Sequence, residues 1–213
     1  MQDIDHIKKL FSGNFVESPL LETYETGNIV LTSGMLVACD PLITSDMKPF
    51  IMMFPKGSFQ TLVHKERESN CIAYAEIVFS DKTVKTWQLA TTEGQNVEDL
   101  KEGEIFGYPV QSGMGCFMDA ETQESLNHLE EKLYRRKGAD FMGIYEEFFH
   151  DRFFDEKGAT DSFALLKPNE EKPGNIFAFE TGYGEGFYGS YIGLDTVGNP
   201  VKILTEFIEI SGN

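Results

Sequence analysis

The stretch Ile176-Phe-Ala-Phe-Glu-Thr-Gly-Tyr-Gly-Glu-Gly-Phe-Tyr-Gly-Ser-Tyr-Ile-Gly-Leu-Asp195 decides how this chain is read. It opens and closes on short runs rich in aromatic and branched residues. Between Thr181 and Gly193 it carries five glycines and four aromatics. Gly184, Gly186 and Gly189 have the spacing of a dinucleotide-binding loop, but that loop works by setting a pyrophosphate against the N-terminus of a following helix. Here the residues after Gly186 read as a strand, and Glu185 puts a carboxylate where a phosphate would approach. The stretch therefore reads as strand, loop, strand. In an extended chain Gly182, Gly184 and Gly186 share one face while Tyr183, Glu185 and Phe187 share the other. Glycines this close together indicate positive φ or close backbone approach. Tyr183, Glu185 and Tyr188 become the candidate contact residues of an exposed loop.

Working outward, Ser162–Leu166, Ile176–Glu180, Phe187–Leu194 and Val201–Ile210 read as closing strands, the last two joined by a turn at Thr196-Val197-Gly198-Asn199-Pro200. Before them lie two expected helices. Asp119 caps the first, whose Leu126, Leu129 and Leu133 form one apolar stripe and whose Arg135, Arg136 and Lys137 suit its negative end before Gly138. Asp140 is expected to open the second, with Phe141, Ile144, Tyr145, Phe148 and Phe149 as its buried arc and Gly158 as its stop. Upstream the pattern is β: Asn28–Thr32, a Ser33-Gly34 turn, Met35–Cys39, alternation at Phe50, Met52 and Phe54, and Gln60–His64. A long hairpin is expected from Asn70–Phe79 and Thr83–Leu89 around Ser80-Asp81-Lys82, then a bent strand over Ile105–Met118. At the start, Asp3 is positioned to cap a short helix with Ile4, Ile7 and Phe11 on one face and Gly13 at its end. The expected fold is mainly β (α+β): an antiparallel β-sandwich or open barrel over residues 1–213 as a single domain, with a two-helix insertion at 119–158 and a short N-terminal helix.

No apolar run approaches the roughly 20 residues of a membrane span, and the first residues lack the apolar segment of a signal peptide. A cytoplasmic protein without membrane contact is expected. Thirty-five acidic against 18 basic side chains give a net charge of −17, which opposes phosphate backbones and excludes nucleic acid as an expected ligand. Cys39, Cys71 and Cys116 are widely spaced and form no Cys-x-x-Cys pair, so free thiols are expected rather than disulfides or a zinc ribbon. No cofactor or metal site is indicated. Glu124, His128 and Glu131, and likewise Glu147 and His150, fall opposite the apolar stripes of their helices and read as solvated faces.

One echo stands out. Ser33-Gly34-Met35 followed by Asp40 and Ser112-Gly113-Met114 followed by Asp119 share the spacing Ser-Gly-Met-x4-Asp. Two readings follow: strands entered through a glycine turn and closed by a capping Asp, or carboxylates at equivalent strand ends near one site. On the second reading Asp40, Asp119, Glu185 and Asp195 are candidates for acid/base work or for holding a hard cation.

Taken together, Thr26-Gly27-x-Ile29-x-Leu31-x-Ser33-Gly34, Ala38-Cys39-Asp40-Pro41, Pro55-Lys56-Gly57-Ser58-Phe59, Gly107-Tyr108-Pro109-Val110-x-Ser112-Gly113, Cys116-Phe117-Met118-Asp119 and Gly182–Tyr188 resemble a bacterial domain-of-unknown-function family, the one numbered 4241. The resemblance covers Thr26 to Phe207. The family loop carries Gly-Asp-Gly where this chain has Gly184-Glu185-Gly186, and the resemblance implies a recurring domain but no activity. The leading functional expectation is a non-enzymatic protein that binds a basic protein partner, as an immunity protein caps a toxin. The alternative is a small-molecule hydrolase or lyase using clustered strand-end carboxylates.

Overall fold

The run Ile72-Ala-Tyr-Ala-Glu-Ile-Val78 alternates poorly because it is covered on both faces. It forms one strand of an antiparallel six-stranded sheet in a computed structural model that describes residues 4–13, 15–153 and 162–210. With strands numbered in chain order, this sheet runs β1 (Leu21–Leu31), β3 (Gly57–Glu66), β4 (Ile72–Val78), β12 (Pro200–Glu206), β11 (Ser190–Leu194), β5 (Thr86–Leu89). A four-stranded antiparallel sheet runs β2 (Leu36–Cys39), β7 (Met114–Asp119), β9 (Ile176–Glu180), β8 (Phe163–Leu166). A small ribbon pairs β6 (Tyr108–Val110) with β10 (Gly186–Tyr188).

The two large sheets pack face to face, and the chain is mainly β with sheets not closed into a barrel. Ile29, Val63, Ile77 and Ile203 of the larger sheet meet Phe117, Phe177 and Phe179 of the smaller one. Phe177 and Phe179 stand edge to face at 4.9 Å. Each such ring, fully buried, contributes about 2–3 kcal/mol relative to exposure. The outer face of the four-stranded sheet is covered by α2 (Ala120–Lys137) through Leu126 and Leu133, and by Ile144, Phe149 and Phe153. The outer face of the six-stranded sheet is covered by α1 (Asp5–Leu10) and the turn after it, through Ile7 and Phe11. The result is four layers, helix, sheet, sheet, helix, so β2, β4, β7, β9, β11 and β12 bury both faces. That is why their sequences read as apolar runs.

α2 matches its reading closely. The Asp119 carboxylate accepts the Glu121 N–H at 3.0 Å, Gly138 ends the helix at φ 57°, and Arg135, Arg136 and Lys137 occupy the last turn. Glu124, His128 and Glu131 face solvent. The second expected helix is different. Asp140 lies in a 3₁₀ turn (Gly138–Asp140), and Phe141 is extended. Gly143 at φ 102° keeps the chain out of the helix. Helical structure resumes only at Tyr145–Phe149, as a π-helical turn running into α3 (His150–Phe153). Gly158 and Asp3 lie outside the described residues.

The expected hairpin of Asn70–Phe79 with Thr83–Leu89 does not form. β12 and β11 are inserted between β4 and β5, and Ser80-Asp81-Lys82 is part of a crossover. The Asp195 carboxylate holds Lys82 Nζ at 2.7 Å, and Lys85 N–H donates to Leu194 O at 2.7 Å, so the later β11–β12 hairpin takes the ladder positions that sequence adjacency suggested. The tight hairpin is instead β3 to β4, turning through Asn70 at φ 58°. The expected strands Ile105–Met118 and Phe187–Leu194 each divide: β6 and β10 leave to pair with each other, while β7 and β11 enter the two large sheets. Phe50 to Phe54 is loop with one isolated bridge, Phe50 to Thr92.

Cys39 and Cys116 are buried free thiols directly opposite one another, with sulfurs 3.6 Å apart. Burial pushes the Cys116 thiol well above its ordinary value, and the hydrogen bond with Cys39 adds to this. Among the described residues no helix is long and apolar enough to cross a membrane.

Candidate interaction site

Thr181, directly after β9, is fully buried and fixes the loop that follows it. Its N–H donates to Gly113 O at 3.0 Å, and its Oγ1 donates to Gly184 O at 2.7 Å. Gly184 N–H returns to Thr181 O at 2.6 Å, closing a tight turn with Gly184 at φ 110°. The Tyr188 hydroxyl donates to Gly184 O at 2.8 Å while its ring packs edge-on to Phe207 at 5.0 Å. Tyr188 is therefore a strut under the loop rather than a contact residue on it. The outward face carries Tyr183, 73% exposed, the exposed Glu185, and Phe187, 52% exposed. The Tyr183 hydroxyl reaches Glu66 Oε2 at 3.3 Å, and Ser69 Oγ donates to the same oxygen at 2.6 Å. All three exposed side chains are carried on a segment whose backbone is fixed by four hydrogen bonds.

The Ser-Gly-Met-x4-Asp echo turns out to be one device used twice. Both its serines and both its aspartates are 79 positions apart (112 − 33 and 119 − 40), and the motifs cap each other. The Asp119 carboxylate accepts Ser33 N–H at 2.9 Å, Gly34 N–H at 3.0 Å, Ser33 Oγ at 2.8 Å and Thr32 Oγ1 at 3.2 Å. The Asp40 carboxylate accepts Gln111 N–H at 3.0 Å, Ser112 N–H at 2.9 Å, Ser112 Oγ at 2.8 Å and Leu42 N–H at 2.9 Å. Gly34 adopts φ 81°, and a Cβ there would lie 2.4 Å from Phe54 O, so only glycine fits this turn. The pairing of β2 with β7 sets Leu36 opposite Asp119 and Cys39 opposite Cys116, which makes the two motifs related by a local twofold through the Ala38–Phe117 pair.

Asp40 and Asp119 consequently sit at opposite ends of that strand pair, four positions apart, about 13 Å at ~3.3 Å per residue. Asp195 lies in the β11–β12 turn, where it accepts Val197 N–H at 3.0 Å and Asn199 N–H at 2.9 Å beside Lys82. The Lys82 and Asn199 hydrogen bonds hold its carboxyl well below the usual range. Among the described residues no group of three or more His, Cys, Asp or Glu is placed to hold a metal. Of the candidates, Tyr183, Glu185 and Tyr188 belong to one loop, and Asp40 supports it at one remove because the turn it caps supplies Gly113 O to Thr181.

The sequence reading missed a second polar centre, beneath α1. Glu76, Lys202 and His64 are each at most 2% exposed. Lys202 Nζ lies 2.6 Å from Glu76 Oε1, His64 Nε2 lies 2.8 Å from Glu76 Oε2, and His64 Nδ1 lies 2.8 Å from Thr23 Oγ1. Lys202 also donates to Gly13 O at 3.3 Å, and Phe11 covers the imidazole edge-on at 5.2 Å. Burial alone would raise the Glu76 carboxyl, but the His64 hydrogen bond and the Lys202 charge outweigh it and hold it below its ordinary value. The signal available in sequence was a charged residue inside each of two apolar strand runs, Glu76 in Ile72–Val78 and Lys202 in Val201–Leu204.

Fold and site together define an antiparallel two-sheet β protein with a helical insert, presenting a rigid loop with two exposed rings around a carboxylate. Residues 29–205 match the family model described as Protein of unknown function (DUF4241), and the chain belongs to that family. No curated protein and no solved structure matches it.

Proposed function

We propose that this protein binds a basic protein partner through the Tyr183–Phe187 loop, in the way an immunity protein caps a basic toxin such as a nuclease. The observation that carries the reading is the loop itself. Tyr183 and Phe187 hold their rings in solvent on a backbone already locked by Thr181 and Tyr188, so binding orders little that is not already ordered. Aromatic anchors of this kind are the usual energetic centre of a protein interface. Glu185 between them, and a net charge of −17 around them, favour a cationic partner and steer its approach.

The competing reading, a hydrolase or lyase, draws its support from carboxylates sharing one substrate. Asp40 and Asp119 stand at opposite ends of a strand pair with their oxygens taken by turn donors, which favours binding over that chemistry.

Affinity capture with the full chain as bait, at low and at moderate salt, tests the reading. The expected result is a basic protein retained by the wild type and lost with Tyr183→Ala. The purified partner is expected to associate more slowly as salt rises. Absence of any specific partner at either salt, or capture indifferent to Tyr183→Ala, overturns it.

A further inference from the structure

We propose that Thr23 is a stoichiometric acyl acceptor: its hydroxyl, poised on His64, attacks an activated acyl ester or thioester and keeps the acyl group as an ester on Oγ1. This is independent of the binding surface proposed above.

Glu76 is ionised and can only accept, so Nε2 of His64 carries the hydrogen that points to it. Lys202 already neutralises Glu76 at 2.6 Å, so the buried imidazole needs no charge of its own. In the neutral ring the lone pair is then on Nδ1, and it faces Thr23 Oγ1 at 2.8 Å. A hydroxyl donating to an imidazole that is oriented by a carboxylate is the arrangement that activates an alcohol nucleophile.

Position agrees with chemistry. Thr23 and His64 are direct partners across the β1–β3 ladder, which fixes their approach through the sheet rather than through mobile loops. Of the four groups only Thr23 is exposed, while His64, Glu76 and Lys202 lie under Phe11. A reagent from solvent therefore meets Thr23 before the base and the charges behind it.

In the step itself Oγ1 forms the new bond to the acyl carbon as its proton passes to Nδ1. The resulting imidazolium is stabilised by Glu76. The tetrahedral adduct collapses by breaking the bond to the leaving phenolate, alkoxide or thiolate, which departs with that electron pair and takes the proton from Nδ1. His64 returns to neutrality, and the products are acylated Thr23 and the free alcohol or thiol. His64, which touches the reacting atom, is the base, and Glu76 and Lys202 are positioning residues.

The test uses the full chain and p-nitrophenyl acetate, following p-nitrophenolate release and locating the acetyl group by peptide mass spectrometry. Exposed Ser12 and Ser58 in the same sample serve as reference hydroxyls, so the comparison needs no variant to fold. The expected result is acetyl on Thr23 at a rate about 100-fold above the reference serines. Thr23→Val should lose this label, Thr23→Ser should keep label at position 23, and folded His64→Gln or Glu76→Gln should slow it. Labelling of Thr23 no faster than of Ser12 and Ser58, or labelling unaffected in folded His64→Gln, overturns the proposal.

Discussion

The two large sheets both bury carboxylates, and they hold them by opposite means. In the four-stranded sheet Asp40 and Asp119 meet backbone N–H groups and hydroxyls of turns. In the six-stranded sheet Glu76 meets an ammonium and an imidazole carried by other strands. The first solution neutralises charge with the dipoles of turns that one strand pairing, β2 with β7, brings in; the second does it with a counter-ion carried on β12 and an imidazole on β3, on either side of β4. The difference teaches where a buried charge gets its specificity: from a turn in one sheet, from the whole strand order in the other.

The harshest way to break this contrast is Lys202→Met. It leaves Glu76 buried without its cation, and urea unfolding should register a loss of about 3–5 kcal/mol. Adding Glu76→Leu to that variant should restore most of it, because the uncompensated charge is gone; a single variant within about 1 kcal/mol of wild type would show that the ion pair does not hold this sheet. The same centre predicts an acid slope. Glu76 has a folded pKa below its unfolded one, so its contribution is present above the ordinary carboxylate value and is lost as pH falls through the lowered one. Urea midpoints measured stepwise into acid should fall less steeply in the double variant, which lacks Glu76.

Next in size, Asp119→Asn and Asp40→Asn each turn an amide group toward N–H donors, and each should cost about 2–3 kcal/mol in the same measurement. The two costs should be similar. A large loss for one and none for the other would break the local twofold that relates the motifs. Gly184→Ala should cost about 1 kcal/mol in a thermal melt, because φ 110° is strained for alanine although the space around it is open. Smallest of all, Glu185→Gln should leave the melting temperature unchanged while weakening capture of the basic partner, since this carboxylate faces solvent.

Legibility in the sequence followed the same division. The cap of α2 and the Thr196–Pro200 turn are local, and residue type and spacing carry them; Tyr183, Glu185 and Phe187 are each exposed, but on a chain that turns at Thr181–Gly184 instead of running extended. The Ser-Gly-Met-x4-Asp echo was visible too, and its capping role was one of two readings left open. What sequence did not carry was that each aspartate caps the other motif's turn, because that depends on β2 and β7 pairing across some 80 positions. The hairpin assigned to β4 and β5 failed for a related reason: adjacency is a good guide to pairing only until a later hairpin competes for the same edges. Thr23, His64, Glu76 and Lys202 come from four strands, and in the chain each is an unremarkable polar residue among apolar neighbours. Alternation assigns Tyr188 no partner, whereas the loop folds back and gives its hydroxyl Gly184 O.

Reciprocal capping also sets how this region breathes. The amide protons of Ser33 and Gly34 are held by a carboxylate on β7, and those of Gln111 and Ser112 by one at the end of β2, so separating β2 from β7 strips both turns of their caps at once. In native-state hydrogen–deuterium exchange these four amides should therefore behave as one cooperative unit, sharing a single opening free energy and a single denaturant dependence, although the two turns lie far apart in the chain.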